Sequence, residues 1–348
     1  MTLRDVKLTS RNSHSLNTHF IYVKQHFLAF RFVCTHILPA IYRTGRKPLL
    51  FSKCSGMGDI ICTFPASLEL KRRFPRTEVI YHCHSQFSCL PRLAGLTENV
   101  TSIAQIGLVG YWYHFLLAGF YQFISDDDRP DVIPNDVYIR DFGREFGVEL
   151  TGDHPTITPS SASIANVKAN LKNLGFAEGP LIVIHSGPSW PVREWPHAAW
   201  VALIQGFSRH GFKNIVQIGS SSHLRLGLVG SYSLPGVFSL VDQLSLEESI
   251  SLISLADLFV GIDSGLLHAA AGVRTPSVGI WGPTSAQLRF STKYTSLFVT
   301  STAACQGCHH RVPRLHWITN CPHGIKCMRD ISAEDVLQMC LKQIGHRK

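Results

Sequence analysis

Short apolar runs alternate with longer amphipathic segments along most of the chain. Runs of four to six apolar residues bounded by turns predict buried strands, and apolar residues at spacings of three and four predict helices. The predicted strands are 48–53, 79–83, 181–185, 214–218, 258–262 and 277–281. The predicted helices are 59–73, 197–209, a helix capped by Ser245 and Glu248, a short Ala-rich helix after Gly265, and 333–344. Strands that alternate with helices predict an α/β fold with parallel sheets.

The chain of 348 residues is longer than a single hydrophobic core usually supports, which predicts two domains. A hydrophobic content of 45% with 16% charged residues excludes a disordered protein. The polar stretch 151–163 is the best linker candidate. We therefore predict a basic arm (1–47), two Rossmann-like halves (48–155 and 160–330) and a C-terminal helix (331–348).

The arm combines positive charge with an amphipathic pattern. Residues 1–58 hold nine Lys or Arg and one acidic residue, so they carry +8 of the chain's net charge of +9. Since the rest is nearly neutral, the charge does not indicate nucleic acid as a partner. One apolar helix face is predicted by the spacing of Phe20, Val23, Phe27, Phe30, Cys34, Ile37 and Ile41. A membrane surface and the protein's own core are both suitable partners for such a face, and both interpretations stay open.

A second apolar stretch, 103–124, contains no Asp, Glu, Lys or Arg. Its length suits a transmembrane helix. Glycines, His114 and Gln122 interrupt it, however, and it falls inside a predicted α/β domain. We favour a buried or membrane-facing segment over a true span.

Each predicted half has a glycine-containing turn directly after a strand, where open α/β sheets bind ligands. In the first half this turn is Gly56-Met57-Gly58-Asp59. It lacks the third glycine of a dinucleotide fingerprint, because position 61 is Ile. Asp59 is either a helix cap or a general base, and its local sequence favours the cap.

The second half offers two such turns. Ser186-Gly187 follows one strand, and Arg193 lies a few residues beyond it, where a guanidinium could neutralise a diphosphate or simply pair with Glu194. Asp263-Ser264-Gly265 follows another strand and opens a helix that contains His268. Backbone N–H groups at a helix start attract phosphate, although Asp263 could be only an N-cap and His268 only a core residue.

The last part of the chain is rich in cysteine. Cys305, Cys308, Cys321 and Cys327 have the spacing C-x2-C-x12-C-x5-C, with His309, His310, His316 and His323 among them. Four thiolates with a leading C-x-x-C resemble a structural zinc or iron site, but the spacing matches no standard zinc finger. Four free thiols are the alternative in a reducing cytosol.

Three blocks occur in an order that resembles glycosyltransferase family 9, the heptosyltransferase family of bacterial surface-polysaccharide synthesis. They are Gly58-Asp59…Pro65, then Ser186-Gly187…Arg193-x-Trp195-Pro196…Trp200, then Asp263-Ser264-Gly265-x-x-His268…Thr275-Pro276…Gly282-Pro283-Thr284. The resemblance spans about residues 50 to 335. It implies a GT-B fold, in which two Rossmann-like domains face a cleft, the first binding the acceptor and the second the nucleotide-sugar donor.

The resemblance also implies roles for individual residues. Asp59 matches the general base, and Gly56 and Gly58 form the loop beside it. Arg193 stands where the family usually carries Lys against the donor phosphates, with Ser186 and Gly187 on the same loop. Ser264, Gly265 and His268 match residues near the diphosphate, and Pro283 and Thr284 match the loop that borders the nucleotide. Asp263 is electrostatically unsuited to phosphate, so we assign it to sugar hydroxyls or to ordering of its loop.

The implied reaction is an inverting transfer that needs no cofactor, and the implied donor is ADP-heptose. The implied acceptor is a lipopolysaccharide-core or related lipid-linked saccharide, or a Ser hydroxyl in the branch of the family that modifies autotransporter proteins. In that branch a comparable cysteine segment binds iron. The resemblance implies a cytoplasmic protein, with the cytoplasmic face of the inner membrane as a candidate peripheral contact. A catalytically impaired nucleotide-sugar-binding subunit is the alternative, and the missing fingerprint disfavours a dehydrogenase.

Overall fold

The computed structural model describes two α/β halves, each built on its own parallel sheet. It describes residues 16–103, 105–124, 137–150, 152, 154–176, 178–223, 228–229, 234–290, 296–311 and 321–345. The two sheets confirm the predicted α/β class. Residues 1–15 of the predicted arm, His316 and parts of the predicted linker lie outside the described residues.

The first sheet has four parallel strands in the order β3-β2-β1-β4. Its strands are β1 (Leu49–Ser52), β2 (Val79–His82), β3 (Val100–Thr101) and β4 (Gly119–Gln122). β1 and β2 are buried at every position, as expected for central strands that are covered on both faces. The helices of this half are α3 (Met57–Cys62), α4 (Phe64–Arg73), α5 (Cys89–Leu93), α6 (Ile106–Trp112) and α7 (Tyr138–Glu145). Two 3-10 turns, Ser85–Phe87 and His114–Leu116, also belong to it.

The second sheet has six parallel strands in the order β12-β11-β10-β5-β6-β9. They are β5 (Leu181–His185), β6 (Asn214–Gln217), β9 (Phe238–Ser239), β10 (Leu258–Ile262), β11 (Ser277–Trp281) and β12 (Ser296–Thr300), and β7 (Ser222–His223) with β8 (Leu228–Val229) forms a separate antiparallel pair. The helices are α8 (Ser161–Asn173), α9 (His197–Arg209), α10 (Leu246–Leu255), α11 (Gly265–Gly272), α12 (Ala286–Arg289), α13 (Lys326–Arg329) and α14 (Ala333–Gly345). Two further 3-10 turns are Pro191–Arg193 and Cys308–His310.

The observed bounds follow the local signals in the sequence, with one exception. Ser245 caps α10 through a capping box with Glu248, and Ser332 accepts a hydrogen bond from the Asp335 N–H at the start of α14. The predicted helix 59–73 is instead two helices that meet at Thr63. Pro65 explains the break, because proline removes a helix donor and suits the first turn of a new helix.

The 103–124 stretch is not a continuous helix, since it contains α6, a 3-10 turn and strand β4. In the part of the chain that the structure describes, no helix has the length and apolar character that crossing a bilayer requires.

The N-terminal segment forms α1 (Leu16–Phe32), a π-helical turn (Val33–Ile37) and α2 (Leu38–Thr44). Ala29, Phe32, Val33 and Ile37 are buried against Leu50 of β1 and its neighbours. The predicted stripe mostly faces the other way, because Val23, Phe27, Phe30 and Cys34 are exposed. The N-terminal segment therefore packs on the protein's core, but mainly through residues outside the predicted stripe, of which Ile37 is buried and Ile41 is partly buried.

The two halves touch where α3 of the first meets α11 of the second. A Cβ atom at Gly265 would lie 2.5 Å from the Met57 Cβ, and one at Gly58 would lie 2.7 Å from the ring of His268. Glycine is thus required on both helices for this close approach. The chain between the halves lies beside the contact, with the Ile157 N–H bonded to the Gly272 carbonyl and the Thr158 N–H bonded to the Leu93 carbonyl.

We expect Gly265→Ala to destabilise the protein by roughly 1–3 kcal/mol, because the added methyl overpacks the contact with Met57. Thermal unfolding followed by circular dichroism measures this as a lower melting temperature. Gly107→Ala in α6 is the matched control, since a Cβ there meets no atom within 4 Å. That control should leave the melting temperature unchanged or raise it slightly, and equal melting temperatures for the two variants would contradict the prediction.

Candidate active site

The carboxylate of Asp263 lies at the carboxyl-end edge of the second sheet, the edge at which open α/β sheets bind ligands. Asp263 directly follows β10 and is 3% exposed. Its Oδ2 accepts a hydrogen bond from Thr284 Oγ1 at 2.6 Å and lies 3.3 Å from Arg193 Nε. One buried carboxylate therefore joins three segments that are distant in sequence: the turn after β10, the 3-10 turn that ends at Arg193, and the loop after β11.

Charge keeps this carboxylate ionised. Burial by itself would raise the pKa of Asp263, but the positive charges of Arg193 and Arg289, together with His268 and the Thr284 hydroxyl, hold it below its ordinary value. Of its two predicted roles, this pairing favours ordering of the loop.

Ser264 and Gly265 form the start of α11. Ser264 is the N-cap residue in extended conformation, and its side chain makes no capping hydrogen bond to the helix. Its Oγ instead lies 3.1 Å from Nδ1 of His185. Ser264 and Gly265 are both half-buried. Because the first N–H groups of a helix have no partner within the helix, this end of α11 has the chemistry of an anion site.

Two buried histidines are close to this turn. Burial lowers the pKa of His185 to about 4. Burial is also the largest influence on His268, whose pKa is about 4 despite the nearby Asp263. His268 stacks on Phe290, with 4.6 Å between ring centroids, and its Nδ1 lies 3.5 Å from the Cys62 sulfur. It thus lies in the contact between α3 and α11 and is neutral at physiological pH, so it can offer a diphosphate a hydrogen bond but not a charge.

The loop after β5 holds Ser186, Gly187 and Arg193. Ser186 is buried and its Oγ accepts a hydrogen bond from Gln217 Nε2 at 3.0 Å. Gly187 has φ +122°, a conformation that favours glycine. The Ser189 N–H donates to Glu194 Oε1 at 3.0 Å. Arg193 points to Asp263 rather than acting as the exposed surface residue that the simplest interpretation predicted.

Asp59, in the first half, uses its two oxygens differently. Oδ2 accepts a hydrogen bond from the Gly56 N–H at 3.0 Å and so caps α3. Oδ1 accepts a hydrogen bond from the Tyr138 hydroxyl at 3.2 Å and lies 3.8 Å from Nη1 of Arg289. The side chain is 29% exposed. Asp59 thus caps α3 through Oδ2, while Oδ1 contacts Tyr138 and Arg289.

Sequence reasoning missed Arg289 and Tyr138. Arg289 belongs to α12 of the second half, is 5% exposed, and places its guanidinium carbon 4.7 Å from the centre of the Tyr138 ring. It also faces Asp59 and lowers the pKa of Asp263 together with Arg193. Arg289 could have been selected as a site residue because it lies five residues after Thr284. Nothing in the local sequence singles out Tyr138.

The structure therefore brings most predicted site residues to one place. Asp263 contacts Arg193 and Thr284, and Arg289 links the neighbourhood of Asp263 to Asp59 of the facing half. Pro283 and Thr284 are buried. The Gly307 N–H donates to the Gly282 carbonyl and the His309 N–H to the Pro283 carbonyl, both at 2.9 Å. The cysteine-rich segment thus packs directly on the loop predicted to border the nucleotide.

The four late cysteines lie near one another. Burial, followed by the charges of Cys305, Cys308 and Cys321, raises the pKa of Cys327 to about 12. The Ile325 N–H lies 3.3 Å from the Cys321 sulfur. Thiolates are the donors that zinc and iron prefer. In the described ranges, which omit 312–320, no three His, Cys, Asp or Glu side chains are arranged to hold a metal ion, so the chemistry of the donor set fits a metal and the observed geometry does not.

Comparison with known proteins identifies the relatives of this chain. The family model described as "Glycosyltransferase family 9 (heptosyltransferase)" matches residues 142–317. Lipooligosaccharide heptosyltransferase 2 of Haemophilus influenzae is 28% identical over 138 residues, which cover 38% of this chain and 40% of that protein. Lipopolysaccharide heptosyltransferase 1 of Pseudomonas aeruginosa is 25% identical over 287 residues, 68% of this chain and 79% of that protein. The autotransporter heptosyltransferase Aah of Escherichia coli is 24% identical, with 78% and 65% covered.

Solved structures share the fold. ADP-heptose lipopolysaccharide heptosyltransferase II of Escherichia coli superposes with a TM-score of 0.62 at 15% identity, over 86% of this chain and 99% of that one. The iron-containing dodecameric glycosyltransferase TibC of Escherichia coli superposes with a TM-score of 0.63 at 18% identity, over 86% and 77%. These similarities confirm the GT-B fold class. With the match of the family model to half of its residues, they show that the chain belongs to glycosyltransferase family 9, the heptosyltransferase family.

Proposed function

We propose that this member of family 9 transfers a heptose from ADP-heptose, with inversion, to a hydroxyl of a lipopolysaccharide-core or related lipid-linked surface glycan. The observation that carries the proposal is the contact between Asp59 and Arg289 across the two halves, with Arg193 and Asp263 beside it. Two carboxylates and two guanidinium groups thus meet where acceptor and donor would meet. The similarity to lipopolysaccharide heptosyltransferases supports the choice of heptose.

In the proposed reaction Asp59 acts as the general base. Its Oδ1 takes the proton of the acceptor hydroxyl while that oxygen forms a bond to the anomeric carbon. The bond between this carbon and the diphosphate oxygen breaks at the same time, and ADP leaves with the electron pair. Attack from the side opposite the leaving group inverts the anomeric centre. The hydrogen bond from the Gly56 N–H to Oδ2 fixes the carboxylate, so Oδ1 points in a defined direction.

The donor diphosphate would bind between Arg193 and the start of α11. A guanidinium presents five N–H donors in a planar fork. The contact of Nε with Asp263 sets the orientation of that fork, which suits a fixed phosphate position better than the flexible Lys that the family usually carries. Backbone N–H groups beside Ser264 and Gly265 would stabilise the charge that develops on the leaving group.

Arg289 would act as a positioning residue for the base. Its guanidinium is held by Tyr138, which also donates a hydrogen bond to Asp59. These contacts hold Oδ1 in one orientation. Because Arg289 comes from the donor half and Asp59 from the acceptor half, the pair also holds the base in register with the donor.

Similarity to Aah, an autotransporter heptosyltransferase, supports a second candidate, in which the acceptor is a protein Ser hydroxyl. The chemistry at Asp59 is the same for both acceptors, so the choice depends on the first half. A catalytically impaired binding subunit is the further alternative, and it predicts donor binding without release of ADP. We propose a cytoplasmic location, at the inner face of the membrane in which a lipid-linked acceptor resides.

We expect Asp59→Asn to lower kcat by roughly a hundredfold to ten-thousandfold, the range for loss of a general base. Asparagine can still accept the hydrogen bond from the Gly56 N–H, so the cap and the melting temperature should be retained. The measurement is release of ADP from ADP-heptose in the presence of acceptor. Glu98→Gln, an exposed carboxylate in the same half, is the control. Turnover near wild type in Asp59→Asn would remove Asp59 as the base.

The two arginines should separate binding from chemistry. Arg193→Ala should weaken ADP binding by roughly tenfold to a hundredfold, as expected for lost charge-assisted hydrogen bonds. Arg289→Ala should instead lower kcat and change the affinity for ADP less than about threefold, because its partner is the base. Calorimetric titration with ADP and steady-state kinetics make the comparison, with Arg209→Ala as the exposed control. Wild-type affinity in Arg193→Ala would contradict the phosphate contact.

Catalysis in this proposal needs no cofactor, and the metal predicted at the cysteine segment from its sequence has a test of its own. If it holds zinc or iron, the purified protein should contain about one metal ion per chain. Cys305→Ser with Cys308→Ser should then lose the metal and melt at a lower temperature, whereas the exposed Cys34→Ser should not. Substoichiometric metal in the wild-type protein would remove the site.

A further inference from the structure

The outer side of helix α1 is unusually apolar for a protein surface. Val23, Phe27 and Phe30 are 61%, 63% and 55% exposed. The helix already buries a different set of apolar residues, which includes Ala29, Phe32 and Val33, against the first sheet. The apolar residues whose spacing predicts an amphipathic helix therefore face solvent, where folding of the chain does not require them.

The apolar surface continues beyond α1. Of the nine large hydrophobic side chains that are exposed among the described residues, eight lie on two neighbouring segments. We call this surface the aromatic face; it consists of Val23, Phe27, Phe30, Leu38, Tyr42, Tyr111, Trp112 and Phe115. The rings of His26 and Trp112 are 5.7 Å apart, so α1 and α6 form one continuous surface. Concentrated exposure of this kind marks an interaction site, whereas scattered apolar residues do not.

Positive charge borders one side of the aromatic face. Lys24 and Arg31 are exposed on α1, and helical geometry places both about a quarter turn from the line of Val23, Phe27 and Phe30. Residues 16–47 contain five Lys or Arg and no acidic residue, and 103–124 contain no charged residue. Long basic side chains can lay their apolar stems along such a surface while their charged ends reach outward.

The aromatic face is on the opposite side of the first sheet from the candidate active site. Alternate strand residues mark the two sides. Leu50 and Ile80 pack with the N-terminal helices, whereas Leu49 and Phe51 pack in the core that contains Ile60 of α3. A partner bound to the aromatic face would therefore leave the cleft beside Asp59 open.

We propose that the aromatic face docks on the surface of a bilayer that contains anionic lipid, with α1 and α2 lying parallel to the membrane plane. Exposed aromatic and aliphatic side chains would enter the boundary between headgroups and acyl chains, and Lys24 and Arg31 would contact lipid phosphates. A symmetric pairing with a second copy is disfavoured, because it would bring the same positive charges together. The surface thus has the two features that recognise anionic lipid: apolar area and a border of one charge.

Docking would give the proposed transfer a route to its acceptor. This consequence rests on the proposed function, because it assumes a lipid-linked acceptor; the affinity for lipid does not. With the first half held at the membrane, a saccharide attached to a lipid would need to pass around one sheet to reach Asp59.

Flotation of the full chain with vesicles tests the docking. We expect binding to vesicles of phosphatidylcholine mixed with phosphatidylglycerol and much weaker binding to phosphatidylcholine alone. The double variant Lys24→Glu with Arg31→Glu should weaken vesicle binding by about fivefold for each of the two basic residues replaced. Added salt should weaken binding of the wild type in the same way. Phe27→Ser with Phe30→Ser should weaken it by more than about tenfold through the lost apolar area. All of these side chains are exposed, so the variants should melt like the wild type.

Matched controls separate this surface from general charge and from the active site. Lys168→Glu with Arg209→Glu makes the same change of charge on exposed residues of the second half and should bind vesicles like the wild type. Asp59→Asn should also bind like the wild type, so failure of the catalytic proposal would leave this result unaffected. Equal binding by Phe27→Ser with Phe30→Ser would overturn the proposal. A dimer by light scattering that only this variant dissociates, without vesicle binding, would assign the face to a second copy instead.

Discussion

A buried carboxylate has to be paired, and this requirement organises the loops at the carboxyl-end edge of the second sheet. Asp263 lies almost out of contact with solvent after β10, where a lone ionised carboxylate would be costly. Arg193 and Thr284 satisfy it, and each comes from a different loop. The carboxylate therefore fixes the relative positions of three loops at the edge of one sheet. Removal of the Asp263 carboxylate would release both the Arg193 guanidinium and the loop after β11. A substitution at Asp263 would therefore affect a ligand indirectly, through these two groups.

Local sequence patterns were sufficient for the elements of the fold and insufficient for their orientation. β10 is an uninterrupted apolar run, β11 is apolar after Ser277, and α9 has the bounds that its pattern predicts. Helix α1 shows the limit of this approach. It is apolar on two sides, and periodicity alone cannot tell which side meets the sheet. Burial of Phe32 and Val33 is decided by their fit to Leu50 and its neighbours, which is information that only the folded chain contains.

The candidate site shows the same division. Asp59, Arg193 and Asp263 were predictable because each follows a strand end or matches a family block. The contact of Arg289 with Asp59 and Tyr138 was not, because these residues are far apart in sequence and belong to different halves. Cap and base are not exclusive roles for Asp59. A carboxylate has two oxygens, and here Oδ2 caps the helix while Oδ1 faces the cleft.

Arginines and carboxylates make the ionic contacts around Asp263 and Asp59, because burial keeps His185 and His268 neutral, each with a pKa of about 4. Two carboxylates, Asp59 and Asp263, then face two guanidinium groups. A diphosphate adds negative charge to this balanced set, so it must share a cation that already has an anionic partner. Arg193 can do so because a guanidinium addresses two anions through different N–H groups. The ammonium group of a lysine is a single point charge, so one small group would have to contact both the Asp263 carboxylate and the diphosphate. This difference is a physical reason for arginine at this position.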